Sequence, residues 1–235
     1  MRVPLACWKC SDEEANEFIM REYNDTGKYF HTCKNGHESV LLLENHRFEL
    51  LFDLGMHAIK RGFYREGIAN FTSSLERFQE FVIKTLCLKS KVDWGEMAKA
   101  WKNIAAQSER QLGAFIFLYL QEFHVQPSLL KNDDVNLRNQ VIHKGKIPTQ
   151  KQSIEFGQKV MEIIRPVIAE LKYKYAEFYN EIELRNMNVL KVGISSDTNI
   201  STHRVITVLG LNDYRKHIPD YNLQNEIRMI DSRFW

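Results

Sequence analysis

The stretch from Tyr64 to Lys89 admits little other than one long amphipathic helix. Ile68, Phe71, Leu75, Phe78, Val82 and Leu86 recur at spacings of three and four. At 3.6 residues per turn that spacing draws a continuous apolar stripe along one face. A stripe sustained for about five turns needs a neighbour packed nearly parallel to it. Its large side chains therefore read as core packing and not as a ligand box. With 235 residues, 44% of them hydrophobic and 26% charged, the chain can build one good core plus small appendages.

Further helices suit that partnership. Glu44 to Arg61 is apolar at Phe48, Leu51, Phe52, Leu54 and Ile59 before Gly62 breaks it. Asp93 is placed to cap a helix beginning near Gly95 and carrying Met97, Trp101 and Ile104. Leu112, Phe115, Ile116, Tyr119, Leu120 and Phe123 either continue that helix or form a second piece after Gly113, and Pro127 ends the section. Ser153 to Glu183 predicts a long helix in which Pro166 should produce a kink or a break. Four or five helices with short connections predict a mainly α, up-and-down bundle over residues 44–182.

Between these helices lies Asn132 to Pro148, which reads as one short helix. Asp133 or Asp134 can cap its first turn, and Gly145 and Pro148 stop it. Inside it are Arg138, Asn139 and His143. Asn139 and His143 are four apart and share a face, with Arg138 to one side of the same edge. A planar permanent cation suits phosphate oxygens, and an imidazole can give or take a proton near neutral pH. The plainer alternative is a polar surface helix.

Arg138-Asn139-Gln140-Val141-Ile142-His143 resembles the Arg-x4–6-His motif of HEPN domains, in the form where Asn follows Arg. The resemblance covers roughly residues 44–182, with apolar helices on both sides of the motif. It implies a helical domain acting as a metal-independent endoribonuclease, with Arg138 and His143 carrying the chemistry on an RNA substrate. Asn139 would position phosphate or hold the helix. An acidic residue such as Glu76 could orient Arg138 or His143, although a solvated helix carboxylate is the plainer reading of Glu76. The family also implies a homodimer, and a toxin or phage-defence role with an antitoxin or regulatory protein as partner.

Residues 1–43 carry a second signature. Cys7-Trp8-Lys9-Cys10 is a C-x2-C knuckle, and Cys33-Lys34-Asn35-Gly36-His37 is a C-x3-H knuckle. Three thiolates and an imidazole make a complete set for a structural zinc ion. His31 could stand in for His37, but it alternates within an expected strand, Gly27 to Thr32, and lacks the turn. A redox pair would want a βαβ context, and a disulfide would want an oxidising compartment. Glu13 to Tyr23 is expected to form a short helix, and Cys87 to lie in the core.

After Arg185 the pattern changes, and residues 183–235 read as a C-terminal β-containing appendage. Val189 to Ile194 and Arg204 to Leu209 look like two strands, which would pair with the zinc-ribbon segment or with another chain. Phe234-Trp235 reads as a docking pair. The net charge of +2 gives no global argument for nucleic acid, so any RNA site must be locally basic. The chain shows neither a secretory hydrophobic region nor a membrane-length apolar run, and a cytoplasmic protein is expected. The main rival to the nuclease is a non-catalytic dimeric module whose zinc ribbon binds nucleic acid or protein.

Overall fold

A computed structural model describes residues 2–5, 7–10, 19–196, 198–210 and 221–230. The described chain is mainly helical and forms two compact units. One contains the described residues of Met1–Asn45 and Glu183–Ile206. The other contains those of His46–Ile182 and Thr207–Ile230.

The helical unit is built on α1 (Arg47–Lys60), α2 (Tyr64–Lys89), α4 (Ser108–Phe123) and α6 (Gln150–Lys174), with α3 (Trp94–Ile104) and α5 (Asn132–His143) between them. The expected stripe of α2 is its buried face: Ile68, Phe71, Phe78 and Val82 are fully enclosed. Phe48 and Phe52 of α1 meet it, with ring centroids 5.4 Å apart for Phe48–Phe78 and 4.7 Å for Phe52–Phe71. Two glycines set how close the helices come. A Cβ on Gly55 of α1 would lie 2.6 Å from the Phe71 ring, and one on Gly157 of α6 would lie 2.4 Å from it. Phe71 therefore occupies space that only glycine leaves open, and adding a methyl at either site overpacks the core.

The helix boundaries correct several expectations. Asp93 does cap α3, accepting from the Glu96 N–H at 3.0 Å. Gly113 lies inside α4, which is a separate helix starting at Ser108. Pro166 lies inside α6 and does not end it. Its missing N–H frees the carbonyl of Glu162, and both residues are exposed, so water satisfies that oxygen cheaply. The break comes at Tyr175 (φ −131°, ψ 31°), whose hydroxyl donates to Glu122 of α4. Desolvation and that carboxylate push the Tyr175 phenol up to about 12.

The other unit holds two small sheets. β1 (Arg2–Leu5) pairs antiparallel with β2 (Ile19–Glu22). The expected helix over Glu13 to Tyr23 is thus replaced at its C-terminal end by a strand; residues 13–18 lie outside the described ones. β3 (Lys28–Thr32) pairs antiparallel with β4 (Glu38–Leu43), and β4 pairs parallel with β5 (Asn199–His203). As the central strand, β4 buries Val40, Leu41, Leu42 and Leu43 alike.

The two strands expected after Arg185 are not where they were placed. Val189 and Leu190 belong to the end of α7 (Ala176–Lys191), which continues a run of good helix formers until Gly193 turns at φ +82°. Arg204 to Leu209 makes no ladder because side chains take its backbone groups. The Asn45 amide bonds both the N–H and the carbonyl of Val205, at 2.7 and 2.9 Å. The Val208 N–H donates to Asp53 at 3.2 Å. The strand that pairs with the N-terminal segment is β5. Further on, α8 (Leu223–Met229) packs in the helical unit against α1 and α6. Phe234 and Trp235 lie outside the described residues.

Candidate functional site

Folding brings Cys7, Cys10, Cys33 and His37 together. Their ligand atoms all lie within 4.8 Å of one another. The Cys10 and Cys33 sulfurs are 3.8 Å apart, and His37 Nδ1 lies 3.3 Å from Cys10 Sγ and 3.8 Å from Cys7 Sγ. Zn–S bonds of about 2.3 Å at tetrahedral angles give S···S edges of roughly 3.8 Å, so the spacing fits one such ion.

Each knuckle is a turn that the sequence specifies. The Cys10 N–H bonds the Cys7 carbonyl at 3.1 Å. In the second knuckle the Gly36 N–H bonds the Cys33 carbonyl at 2.9 Å, and Gly36 takes φ +76°, a conformation that costs glycine least. The His37 N–H donates to Cys33 Sγ at 3.3 Å, and the Asn35 side chain donates to Cys10 Sγ at 3.3 Å. Burial pushes the Cys10 thiol up to about 11, against the opposing Asn35 bond. Burial also acts to raise Cys33, but backbone N–H groups of His37 and Asn35 outweigh it and hold that thiol below its ordinary range. These donors would neutralise part of the negative charge of three thiolates around a divalent ion. Asn35 was not singled out from sequence; its place inside the C-x3-H turn is the signal that points to it. His31 is buried on β3 and is not part of the group. Cys87 is half-buried on α2, its thiol pushed up by burial, and it too stands outside the group.

The second candidate site is α5, in the helical unit. Val141 anchors it to the core, and buried Asp134 pairs with Lys159 of α6. The expected cap is different: Lys131 is the N-cap, and its ammonium has no acceptor to offer, while Asp133 and Asp134 lie in the first turn, Asp134 paired with Lys159. Both acids still favour the positive end of the helix. The C-terminus ends as expected. Gly145 takes φ +70°, and the N–H groups of Lys144 and Lys146 both bond the Gln140 carbonyl at 3.1 Å.

Arg138 and Asn139 are half-buried, and His143 is exposed as the last residue of α5. Among the described residues Arg138 makes no hydrogen bond or ion pair, and its Nε is buried without a partner. Five positions at 100° each set Arg138 and His143 about 140° apart around the axis. One copy of the helix thus does not aim both groups at a single point, whereas Asn139 and His143 do share a face. Lys144 and Lys131 flank the helix as exposed cations, with Lys151 beyond. Glu76 is half-buried on α2, and among the described residues no hydrogen bond or ion pair joins it to Arg138 or His143. A groove of about 410 Å³ runs beside α5, against the first turns of α6. Among the described residues no helix is long and apolar enough to cross a membrane. Comparison with protein-family models, curated proteins and solved structures finds no match for this chain.

Proposed function

We propose that the chain is a metal-independent endoribonuclease of the HEPN type, acting as a homodimer, with a structural zinc ion held by Cys7, Cys10, Cys33 and His37. The observation that carries this reading is the state of Arg138. It is half-buried on a well-anchored helix, yet its guanidinium has no acidic or carbonyl partner among the described residues. An arginine held in that way remains available for an anion. His143 lies exposed at the end of the same helix, with the exposed cation of Lys144 next to it in sequence.

The nucleophile is the ribose 2′-hydroxyl. Neutral His143 takes its proton as O2′ bonds to phosphorus. The P–O5′ bond breaks, and the departing oxygen takes a proton from the imidazolium of the second copy's His143. Arg138 offsets the charge that grows on the phosphoryl oxygens, and Asn139 holds the phosphate. The products are a 2′,3′-cyclic phosphate and a 5′-hydroxyl. Four protein ligands close the zinc site, which gives the ion a structural role and no open position for substrate.

The test is cleavage of single-stranded RNA in magnesium-free buffer, with end-group analysis of the products. Wild type is expected to cut RNA and leave DNA intact. His143→Ala and Arg138→Ala should each slow cutting by at least ~100-fold with unchanged circular dichroism. Strict magnesium dependence, or equal cleavage of DNA, would refute the mechanism. A wild type that binds RNA and never cuts it would favour the rival reading, a binding module organised around the metal knuckles.

A further inference from the structure

The groove beside α5 is lined on one side by Asp133, Asn136, Leu137 and Gln140, and on the other by Glu155 and Phe156 of α6. At about 410 Å³ it falls at the small end of ligand pockets, which run from roughly 300 to 1,000 Å³. Resting on the endoribonuclease reading, we propose that this groove is a nucleobase subsite, holding one unstacked base of the RNA strand beside the cut.

Position is the first argument. Asn136 and His143 are seven residues apart, about two turns and only ~20° around the axis. Gln140 and His143 are three apart and are neighbours on the helix surface. The groove thus runs along the stripe of α5 that ends at the imidazole, and a strand with its phosphate at His143 can lay an adjacent base into it.

Chemistry is the second. The two lysines of the groove are already engaged: Lys159 with Asp134, and Lys146 with the Gln140 side-chain oxygen at 2.8 Å. What remains is a set of neutral donors and charged acceptors. The Asn136 amide makes no hydrogen bond among the described residues, and the Gln140 NH2 group remains free to donate. Asp133 has no partner among them, and Glu155 has only Lys151, at 3.8 Å. Free carboxylates repel a phosphate but accept from N–H groups. Leu137 and Phe156 contribute the apolar part of the lining. A planar, uncharged group with a hydrogen-bonding edge fits this combination, and an unstacked base is that group. The two oxygens of one carboxylate favour an edge with two adjacent N–H donors, which guanine presents and uracil does not.

The experiment uses full-length His143→Ala, so that RNA is held without being cut, and fluorescence anisotropy with short oligouridylate carrying one guanine or none. The guanine-bearing strand is expected to bind about tenfold tighter. Adding Asn136→Ala with Gln140→Ala, or separately Asp133→Asn with Glu155→Gln, should shrink the ratio to about twofold or less. An equal ratio before and after substitution, or no preference in the parent, overturns the subsite. Circular dichroism checks each variant's fold, and the two pairs of substitutions serve as independent tests. A parallel profile of cut sites on random RNA by the His143-containing protein separates the two levels. Cutting with no base preference at any position refutes the subsite alone. Binding discrimination that depends on these residues, in a chain that never cuts, supports the subsite and refutes the nuclease.

Discussion

At the scale of single residues, the metal knuckles were the most legible part of the chain. Four ligand types at short, fixed spacings leave the backbone few ways to close, and Gly36 marks the turn of the second knuckle. The α5 motif was legible as a helix, whereas the directions of its side chains were not. Spacing placed Arg138 beside His143, whereas the register of the helix separates them and the core takes part of Arg138. Asp134 read as a cap and is an ion-pair partner of Lys159, a contact across 25 positions that no local pattern encodes. A direct test belongs to Cys33. Cys33→Ser should remove about one equivalent of zinc per chain, because the serine hydroxyl is a poor replacement for thiolate. Cys87→Ser, outside the group, should leave the metal content unchanged. Metal analysis of the purified proteins measures both, and undiminished zinc in Cys33→Ser would defeat the ligand assignment.

At the scale of elements, the apolar stripes marked the helices, since periodicity over many turns outweighs local noise, but the single helix expected over Ser153 to Glu183 ends at Lys174 and the chain resumes as α7 at Ala176. The bounds expected for α2 are the observed ones. Short segments were misread because their fate rests on partners distant in sequence. Val189 to Ile194 has strand-like composition but forms the end of a helix and the turn after it, and β5 owes its place to β4, some 160 positions earlier. The helix α4 leaves something over. It is rich in Leu, Ile and Phe, yet only Gln111 and Phe115 are fully buried, and Phe117 is 72% exposed. Gly113, Phe117 and Leu120 fall on one face at spacings of four and three. Under the proposed mechanism a second copy of the chain would cover this face and complete the chemistry, because one α5 turns its Arg138 and His143 apart. Light scattering is expected to show a dimer over a wide concentration range, and Phe117→Asp should shift it towards monomer with helicity retained. Monomer throughout, with cleavage still present, would remove the dimer from the mechanism.

At the scale of the whole molecule, the chain returns to each unit late. Residues 199–203 supply the third strand of the sheet that starts near Lys28, and residues 207–210 and 223–229 rejoin the helices. Reading the chain from one end to the other made everything after Glu183 look like a separate appendage, since sequence order carries no mark of a return. The consequence concerns what zinc holds together. The unit that carries the Cys/His group has two small sheets and a limited apolar core, which a bound ion would stabilise decisively. The helical unit is built around Phe48, Phe52, Phe71, Phe78 and Phe156 and needs no metal for its core. Stripping zinc with a chelator should therefore expose the backbone amides of β3 and β4 to hydrogen exchange, while those of α2 and α6 keep their protection. Local opening of this kind separates the units by stability. Simultaneous loss of protection in β4 and α2 would instead mean that the two units unfold as one, with the Cys/His cluster stabilising both.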